Sequence, residues 1–341
     1  MSKKILSFNY KKPFLIAEIS GNHNQSKKRF LKLIDVAFKN GADLVKIQTY
    51  EPEDITLNIK NKAFKISKGL WKNKYLWDLY KKAHTPFKWH KSAFEIAKRH
   101  KKILFSSPFS KRGVDLLEKF KVKLYKIASF EITDLKLINY IASKKKPIII
   151  STGMSTEKEI QRAIKEIKKF HNKIIILHCV SNYPTNLKDV NLSRINKLKK
   201  KFKNFKIGIS DHTDDIFSSI ASYGFGVVII EKHFNLDKKK TTDSSFSINT
   251  KQLKKLSDIL KDLSISSNVK NQVNGNMIKL RRSIYASKDI KKNETFNSKN
   301  IDTYRPKLGL CASKYFNIIG KKSKKNIKKG SPIFKETVLN F

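Results

Sequence analysis

Two histidines, His212 and His233, each end an apolar run, in the phrases Gly-Ile-Ser-Asp-His and Ile-Ile-Glu-Lys-His. Imidazole nitrogen is a common ligand of Mn, Fe, Co and Zn, and a site with two histidines leaves room for water and a substrate oxygen. If the runs are neighbouring parallel strands, their carboxyl ends bring the two rings together. The pair is therefore a candidate metal site. The alternative is that each histidine is a hydrogen-bonded structural residue.

Two lysines, Lys46 and Lys126, lie inside otherwise apolar runs. A buried ammonium group is costly unless a fixed anion meets it, so anion binding is one interpretation. Formation of an imine with a carbonyl substrate has equal weight, and solvated lysines at the strand ends are the remaining alternative. Serine hydroxyls that could bind the same anion end or closely follow the runs: Ser107, Ser129, Ser151, Ser181 and Ser210.

Two carboxylates, Glu18 and Glu131, belong to the same set of run-ending residues. One of them could act as a general acid or base beside a lysine, or both could simply pair with Lys46 and Lys126. Cys179 also ends an apolar run, but no partner that would orient it is evident in the sequence. We therefore do not expect it to act as a nucleophile.

Eight short apolar runs must position these residues. The runs are 14–19, 44–48, 103–108, 124–131, 148–152, 174–179, 207–212 and 227–233. Helical patterns separate them, such as 28–40, which ends at Gly41, a typical C-terminal cap. Strands that alternate with helices form parallel sheets, and about eight such units close into a (β/α)8 TIM barrel. The sequence therefore predicts this α/β fold.

The barrel pattern covers residues 1–265, with an aromatic-rich insertion at 51–86 that is either a substrate wall or an inserted helix. A stretch rich in serine and asparagine then predicts a linker at 266–281. Residues 282–341 have short β-type runs, and 287–293 resembles 325–330. We expect a small second domain there, one that needs another surface for stability.

The charge excess is large, with 74 Lys and Arg against 28 Asp and Glu and a formal net charge of +46. Such an excess suits nucleic-acid binding, but lysine dominates over arginine, it is spread along the chain, and no nucleic-acid module accompanies it. We favour a general lysine bias and expect no nucleic-acid partner. No stretch is long and apolar enough for a membrane span, and the N-terminus lacks the pattern of a secretion signal, so we expect a cytoplasmic protein with free thiols.

Several of these phrases, in order, resemble the sialic acid synthase family. They are IAEISGNH (16–23), GADLVKIQ (41–48), SSPF (106–109), YKIASFE (125–131), ISTGM (150–154), YPT (183–185), SDHT (210–213) and EKHF (231–234). The resemblance extends over nearly the whole chain. The tail, 282–341, is similar to the antifreeze-like (SAF) domain of that family.

The resemblance implies a reaction that joins phosphoenolpyruvate to the open-chain aldehyde of an acylated amino sugar, with release of phosphate. A divalent metal assists, usually Mn²⁺, with Mg²⁺ or Co²⁺ as alternatives, and His212 and His233 would bind it. Glu18 would handle protons. Phosphoenolpyruvate would be held by Lys46, Ser107, Lys126, Ser129, Ser151, Ser181 and Ser210. The sugar would contact Gln48, Glu131, Tyr183, Asp243 and Arg305.

Within the family, the phrases TLN (56–58), GLW (69–71), HTPFKWH (84–90) and TDSSFSI (242–248) most resemble the members that make pseudaminic acid. The implied sugar is 2,4-diacetamido-2,4,6-trideoxy-L-altrose, with N-acetylneuraminate or N,N'-diacetyllegionaminate as alternative products. Ser181 departs from the asparagine common in neuraminate synthases, and Asn293 replaces a usual glycine. The resemblance also implies a domain-swapped homodimer in which Arg305 enters the partner's barrel.

Overall fold

In the computed structural model, eight parallel strands close into a barrel within the first of two units, Met1–Asn268 and Val269–Phe341. The structure describes residues 12–237, 239–267 and 275–341. The strands are β1 (Phe14–Glu18), β2 (Leu44–Thr49), β3 (Ile103–Pro108), β4 (Tyr125–Ile127), β5 (Ile148–Ser151), β6 (Ile174–Cys179), β7 (Lys206–Asp211) and β8 (Ile229–His233). They pair in chain order, and β1 pairs with β8. The predicted (β/α)8 barrel is confirmed.

Helices follow the strands in the expected alternation. In the barrel unit they are Lys27–Lys39, Leu76–Ala83, His90–Arg99, Lys111–Lys119, Leu135–Ala142, Glu157–Lys168, Ser193–Lys201, Phe217–Gly224 and Thr250–Ser266. Five of them start after a side chain that accepts a hydrogen bond from a free backbone N–H, as Ser26 does from Arg29 and Thr156 from Glu159. Among the described residues, no helix is long and apolar enough to cross a membrane.

The strands are apolar along most of their length because both faces of the sheet are buried, one by the helices and one by the barrel interior. Ile148, Ile149 and Ile150 of β5 are at most 1% exposed. Polar residues therefore concentrate at the carboxyl ends. The strand register places three of these polar residues side by side, since Glu18 of β1 is opposite Lys46 of β2 and His233 of β8.

The fourth predicted strand is shorter than the apolar run that predicted it. The run covered 124–131, but β4 has only three residues, and Ser129–Glu131 forms a turn of 3-10 helix. The turn is fixed by Ser129, whose Oγ accepts a hydrogen bond of 3.1 Å from the backbone N–H of Gly153. Ser129 and Glu131 therefore reach the end of the barrel from a loop rather than from a strand.

The second unit is built on an antiparallel pair, β9 (Ser283–Ala286) and β10 (Ile301–Tyr304), with short helices Gly275–Ile278 and Tyr315–Ile318. The two similar segments, 287–293 and 325–330, pair with each other, because Ile290 and Ile327 exchange backbone hydrogen bonds of 2.8 Å. Asn293 has φ of +67°, in the left-handed region that favours glycine. Part of the predicted linker 266–281, residues 268–274, lies outside the described residues, as do residues 1–11 of the predicted barrel domain 1–265.

Candidate active site

The residues singled out from the sequence gather at the carboxyl ends of the barrel strands, the end at which TIM barrels carry active sites. Glu18 and His233 are the last residues of β1 and β8, and His212 directly follows β7. The others at this end are Lys46 and Gln48 in β2, Ser107 in β3, Lys126 in β4, Ser129 and Glu131 in the turn after β4, Ser151 in β5, Ser181 and Tyr183 after β6, Ser210 in β7, and Asp243 after β8.

A chain of buried charges links four of the strands. Glu18 Oε2 lies 2.6 Å from Lys46 Nζ, which is 3.8 Å from Glu231 Oε2. Glu231 Oε1 lies 3.5 Å from Lys126 Nζ. All four side chains are at most 5% exposed, so neither lysine is solvated. Two ammonium groups are therefore balanced by two carboxylates inside the barrel, and Glu131 forms no ion pair with a lysine among the described residues.

Hydroxyl groups surround the charged chain. Lys126 Nζ donates a hydrogen bond of 2.6 Å to Ser151 Oγ, and Ser210 Oγ donates one of 2.9 Å to Glu231 Oε1. Gly153 lets the loop after β5 pass between Ser129 and Ser181, because a Cβ there would lie 3.0 and 2.1 Å from their Oγ atoms. The buried Ser107 Oγ has no hydrogen-bond partner among the described residues. A polar cradle with an unpaired hydroxyl is suited to a polar ligand.

Burial shifts the proton affinities of several of these groups. It raises the pKa of Glu18 to about 7, against the attraction of Lys46, and it raises the pKa of Glu131 to about 7, against the attraction of Lys126. Burial also lowers the pKa of Lys126. A carboxyl group that titrates near neutral pH can both give and take a proton, which is what a general acid or base requires.

The two histidines face each other with ring centroids 5.3 Å apart. His212 Nδ1 lies 2.8 Å from the carbonyl oxygen of Val180, which leaves its Nε2 as the lone-pair nitrogen. His233 Nδ1 is buried without a hydrogen-bond partner among the described residues, and burial and the neighbouring His212 hold the pKa of His233 well below its usual range. Both rings therefore fit a divalent cation. No group of three His, Cys, Asp or Glu residues suited to a metal occurs in the described parts of the chain, so further ligands would come from water or substrate.

An aromatic wall encloses the histidines. Tyr183 packs against His212 with ring centroids 4.4 Å apart, and Phe246 packs against His233 at 4.7 Å. Trp71 of the insertion 51–86 contacts Tyr183 at 5.7 Å and donates its indole N–H to the carbonyl oxygen of Thr242 over 3.3 Å. The insertion thus contributes Trp71 to the wall around the histidines, and it also contains the helix Leu76–Ala83 with Leu79 and Ala83 buried, so features of both interpretations are present.

The remaining candidates divide between the units. Gln48 Nε2 donates a hydrogen bond of 3.0 Å to Ser20 Oγ, and the buried Asp243 Oδ2 accepts one of 2.9 Å from the backbone N–H of Gly21. Both side chains lie at the carboxyl end of the barrel. Arg305 belongs to the second unit, where it is exposed and directly follows β10.

Comparison with known proteins agrees with this architecture. A model described as the NeuB family matches residues 33–272, and a SAF domain model matches residues 281–339. The chain belongs to the NeuB family. It is 42% identical to a pseudaminic acid synthase of Campylobacter jejuni over 95% of this chain and 96% of that protein. It is 36% identical to an N,N'-diacetyllegionaminic acid synthase of the same organism over 93% and 98%.

A solved structure of the NeuB type shows the same fold. The N-acetylneuraminic acid synthetase of Leptospira borgpetersenii, in complex with citrate, is 30% identical and superposes with a TM-score of 0.69. The match covers 78% of this chain and 89% of that one. The predicted family and the predicted SAF domain are therefore confirmed.

Sequence reasoning missed one residue of this NeuB site, Glu231, which joins the two lysines. The signal was present in β8, because Glu231 and His233 are two residues apart on a strand and so share a face. Cys179 also has a partner that the sequence did not reveal, since its Sγ lies 3.8 Å from His212 Nδ1. Although burial opposes it, His212 lowers the pKa of the Cys179 thiol to about 7, while His212 Nδ1 itself lies nearer the Val180 carbonyl oxygen, at 2.8 Å.

Proposed function

We propose that this protein is a pseudaminic acid synthase. It would join phosphoenolpyruvate to 2,4-diacetamido-2,4,6-trideoxy-L-altrose and release phosphate. The observation that carries the proposal is the buried chain Glu18, Lys46, Glu231 and Lys126 at the mouth of a NeuB-family barrel. Similarity over nearly the full length to a pseudaminic acid synthase supports the choice of sugar.

Phosphoenolpyruvate would lie against Lys46 and Lys126. When Glu18 is protonated, the four-residue chain has one net positive charge, which favours an anionic ligand. The hydroxyls of Ser107, Ser129, Ser151, Ser181 and Ser210 would take its phosphate and carboxylate oxygens. Ser107 Oγ and Ser181 Oγ, which have no hydrogen-bond partner among the described residues, are the hydroxyls most available for this.

Glu18 would move protons during the reaction. The methylene carbon of phosphoenolpyruvate forms a bond to the aldehyde carbon, and water adds to the neighbouring carbon that bears the phosphate. The C–O bond to phosphate then breaks, and the proton of the new hydroxyl leaves with the phosphate as the keto group forms. The attacking water must lose a proton and the aldehyde oxygen must gain one. A carboxyl group whose pKa is raised to about 7 can serve in either direction at neutral pH.

His212 and His233 would hold a divalent cation, with Mn²⁺ as our first choice and Mg²⁺ or Co²⁺ as alternatives. A bound cation supplies Lewis-acid polarisation of the aldehyde oxygen. The contribution of the chain is to orient the two rings and to keep His233 neutral, because burial holds the pKa of His233 well below its usual range. The Val180 carbonyl oxygen orients His212, and Phe246 packs on His233.

The sugar would bind between the charged chain and the aromatic wall. Gln48, Glu131, Tyr183 and Asp243 would form its polar contacts, and Trp71 would face its apolar part. A sugar without a 6-hydroxyl suits an aromatic surface better than one with that group, because the hydroxyl would lose its hydrogen bonds there.

The active form would be a homodimer in which Arg305 of one subunit completes the barrel of the other. Four segments that follow barrel strands expose large apolar side chains that a partner surface could cover: Phe130, Met154, Leu187 and Phe217, each at least 60% exposed. The second unit exposes Tyr304 beside Arg305, and Leu308 close behind it.

The test is phosphate release from phosphoenolpyruvate with Mn²⁺ in the presence of the trideoxy-altrose sugar, the sugar precursor of diacetyllegionaminate, or N-acetylmannosamine. We expect turnover with the altrose sugar and less than a tenth of that rate with the other two. A preference for another sugar would change the product to legionaminate or neuraminate and keep the reaction type. Borohydride trapping of pyruvate on Lys126 would instead support the imine alternative.

A further inference from the structure

Lys232 is a fully buried charged residue that the proposed reaction does not use. It lies in β8 between Glu231 and His233, which face the barrel interior, so its own side chain points outward toward the helices. Its side chain is 0% exposed. Burying an ammonium group costs several kcal/mol unless all its protons are bonded, so a lysine here requires an explanation.

The three protons of the Lys232 ammonium group all have acceptors in the segment that carries His212. Nζ lies 3.1 Å from Asp211 Oδ2, 2.6 Å from the carbonyl oxygen of Thr213 and 3.0 Å from Thr213 Oγ1. Asp211 and Thr213 are the two chain neighbours of His212. The ammonium group thus contacts the residue on each side of that histidine.

Asp211 forms further hydrogen bonds within the segment that carries His212. Its Oδ1 accepts hydrogen bonds of 2.9 Å from the backbone N–H of Thr213 and 2.8 Å from Thr213 Oγ1. Its Oδ2 accepts one of 2.6 Å from Ser219 Oγ in the following helix. Each carboxylate oxygen is therefore bonded, and the turn around His212 is tied both to that helix and to β8.

A buried ion pair of this kind contributes little stability compared with well-packed apolar residues of similar volume. What it does supply is a defined position, because hydrogen bonds to three acceptors fix one arrangement of the segment 211–213 where apolar contacts would allow several. That arrangement bears on the spacing between His212 and His233. Lys232 bonds to the two chain neighbours of His212, and it is itself the direct chain neighbour of His233.

We propose that Lys232 is a positioning residue that holds His212 at the distance from His233 at which the two rings bind one divalent cation. The inference rests on the proposed metal role of the histidines. Lys232 touches neither substrate nor cation, and it acts through Asp211 and Thr213. Outer-shell partners of metal ligands typically contribute 10- to 100-fold to metal affinity.

The test is Mn²⁺ binding to the chelator-treated full-length protein without substrates, followed by the EPR signal of free Mn²⁺. We expect Lys232→Met to weaken binding by about 10- to 100-fold. Because this variant leaves Asp211 buried without its partner, the double variant Asp211→Asn, Lys232→Met is measured beside it. Circular dichroism and the melting temperature establish that each variant is folded.

Lys102 provides a matched control at the other end of the barrel. Its Nζ also donates to two backbone carbonyl oxygens, those of Phe38 at 2.9 Å and Ala42 at 2.6 Å. Lys102→Met therefore removes a similar set of bonds far in sequence from both histidines. We expect it to lower the melting temperature and to leave the Mn²⁺ affinity within twofold of the wild type.

His233→Ala separates the two hypotheses. If it weakens Mn²⁺ binding while the folded Lys232 variants bind as tightly as the wild type, the positioning role is wrong and the metal site stands. If His233→Ala binds Mn²⁺ as the wild type does, the metal assignment is wrong and the positioning role falls with it. Equal weakening by Lys102→Met would show a general effect of stability and would also overturn the proposal.

Discussion

Glu231 determines the electrostatics of the site more than any other single residue. It is the only carboxylate within 4 Å of both Lys46 and Lys126 among the described residues, at 3.8 and 3.5 Å. The two lysines attract it strongly enough to lower its pKa although burial opposes this, while Glu18, which has Lys46 alone within that distance, has its pKa raised. Two carboxylates at neighbouring strand ends thereby take different protonation states. One stays ionised to hold the lysines, and the other can move protons.

The pH dependence of stability can test whether burial raises the pKa of Glu131. Its folded-state pKa is raised from 4.5 to about 7, so between these values the folded protein keeps a proton that the unfolded chain has lost. The free energy of unfolding must therefore fall as pH rises through this window and level off above it. Glu131→Gln has no such proton to lose. We expect its stability relative to the wild type to increase from pH 5 to pH 8, by at most about 3 kcal/mol.

The measurement is the melting temperature of both proteins at pH 5, 6, 7 and 8. Comparing the variant with the wild type cancels the titration of all other groups that the substitution leaves unchanged. Glu95→Gln, at an exposed position of helix His90–Arg99, is the control for the loss of one negative charge. A constant difference for Glu131→Gln would mean that this carboxyl group is not protonated in the folded protein.

The strands were the elements that the sequence predicted best. The runs for β3 and β6 match the observed strands from end to end, because both strands are fully buried and each begins with a run of large apolar residues. The run for β4 failed at its end. There the tertiary bond from Gly153 to Ser129 turns the chain, and no local pattern indicates such a bond.

The site was predictable to the extent that it depends on strand ends. His212 and His233 could be paired from their positions after adjacent strands, and the structure places their rings 5.3 Å apart. The role of Trp71 was not predictable in the same way, since it reaches Tyr183 from an insertion without a regular period. Glu231 was overlooked although strand alternation indicates its direction.

Gly41 and Gly69 both have a positive φ, but only Gly41 is packed closely against another helix. Gly41 follows helix Lys27–Lys39 with φ of +99°, and a Cβ there would lie 2.2 Å from Ser257 Oγ. Gly69 has a similar φ, +82°, with nothing within 4 Å of the added atom. We expect Gly69→Ala to lower the free energy of unfolding by about 1 kcal/mol from backbone strain alone. Gly41→Ala should cost about 1–3 kcal/mol more, because Ser257 must also move.

Urea denaturation of the two alanine variants measures this difference. Gly224→Ala, at the end of helix Phe217–Gly224 with no positive φ and open space around the added atom, is the neutral control. Equal losses at Gly41 and Gly69 would mean that helix Thr250–Ser266, which carries Ser257, adjusts without cost.

At the scale of the whole molecule, the proposed dimer makes each active site depend on two chains. His233 belongs to the barrel unit and Arg305 to the second unit, so His233→Ala and Arg305→Ala remove different parts of one site. If Arg305 acts in the partner's barrel, a mixed dimer of the two variants contains one barrel with an intact His233 that receives an intact Arg305. Its other barrel lacks both residues.

Random exchange of subunits then restores activity that neither variant has alone. Half of the dimers are mixed and half of their sites are complete, so equal amounts of the two variants should recover about a quarter of the wild-type rate. The measurement is phosphate release after the variants are refolded or co-expressed together, with each variant treated in the same way as a control. If Arg305 instead serves the barrel of its own chain, no mixed dimer contains a complete site, and the mixture will show no more than the mean of the two variants.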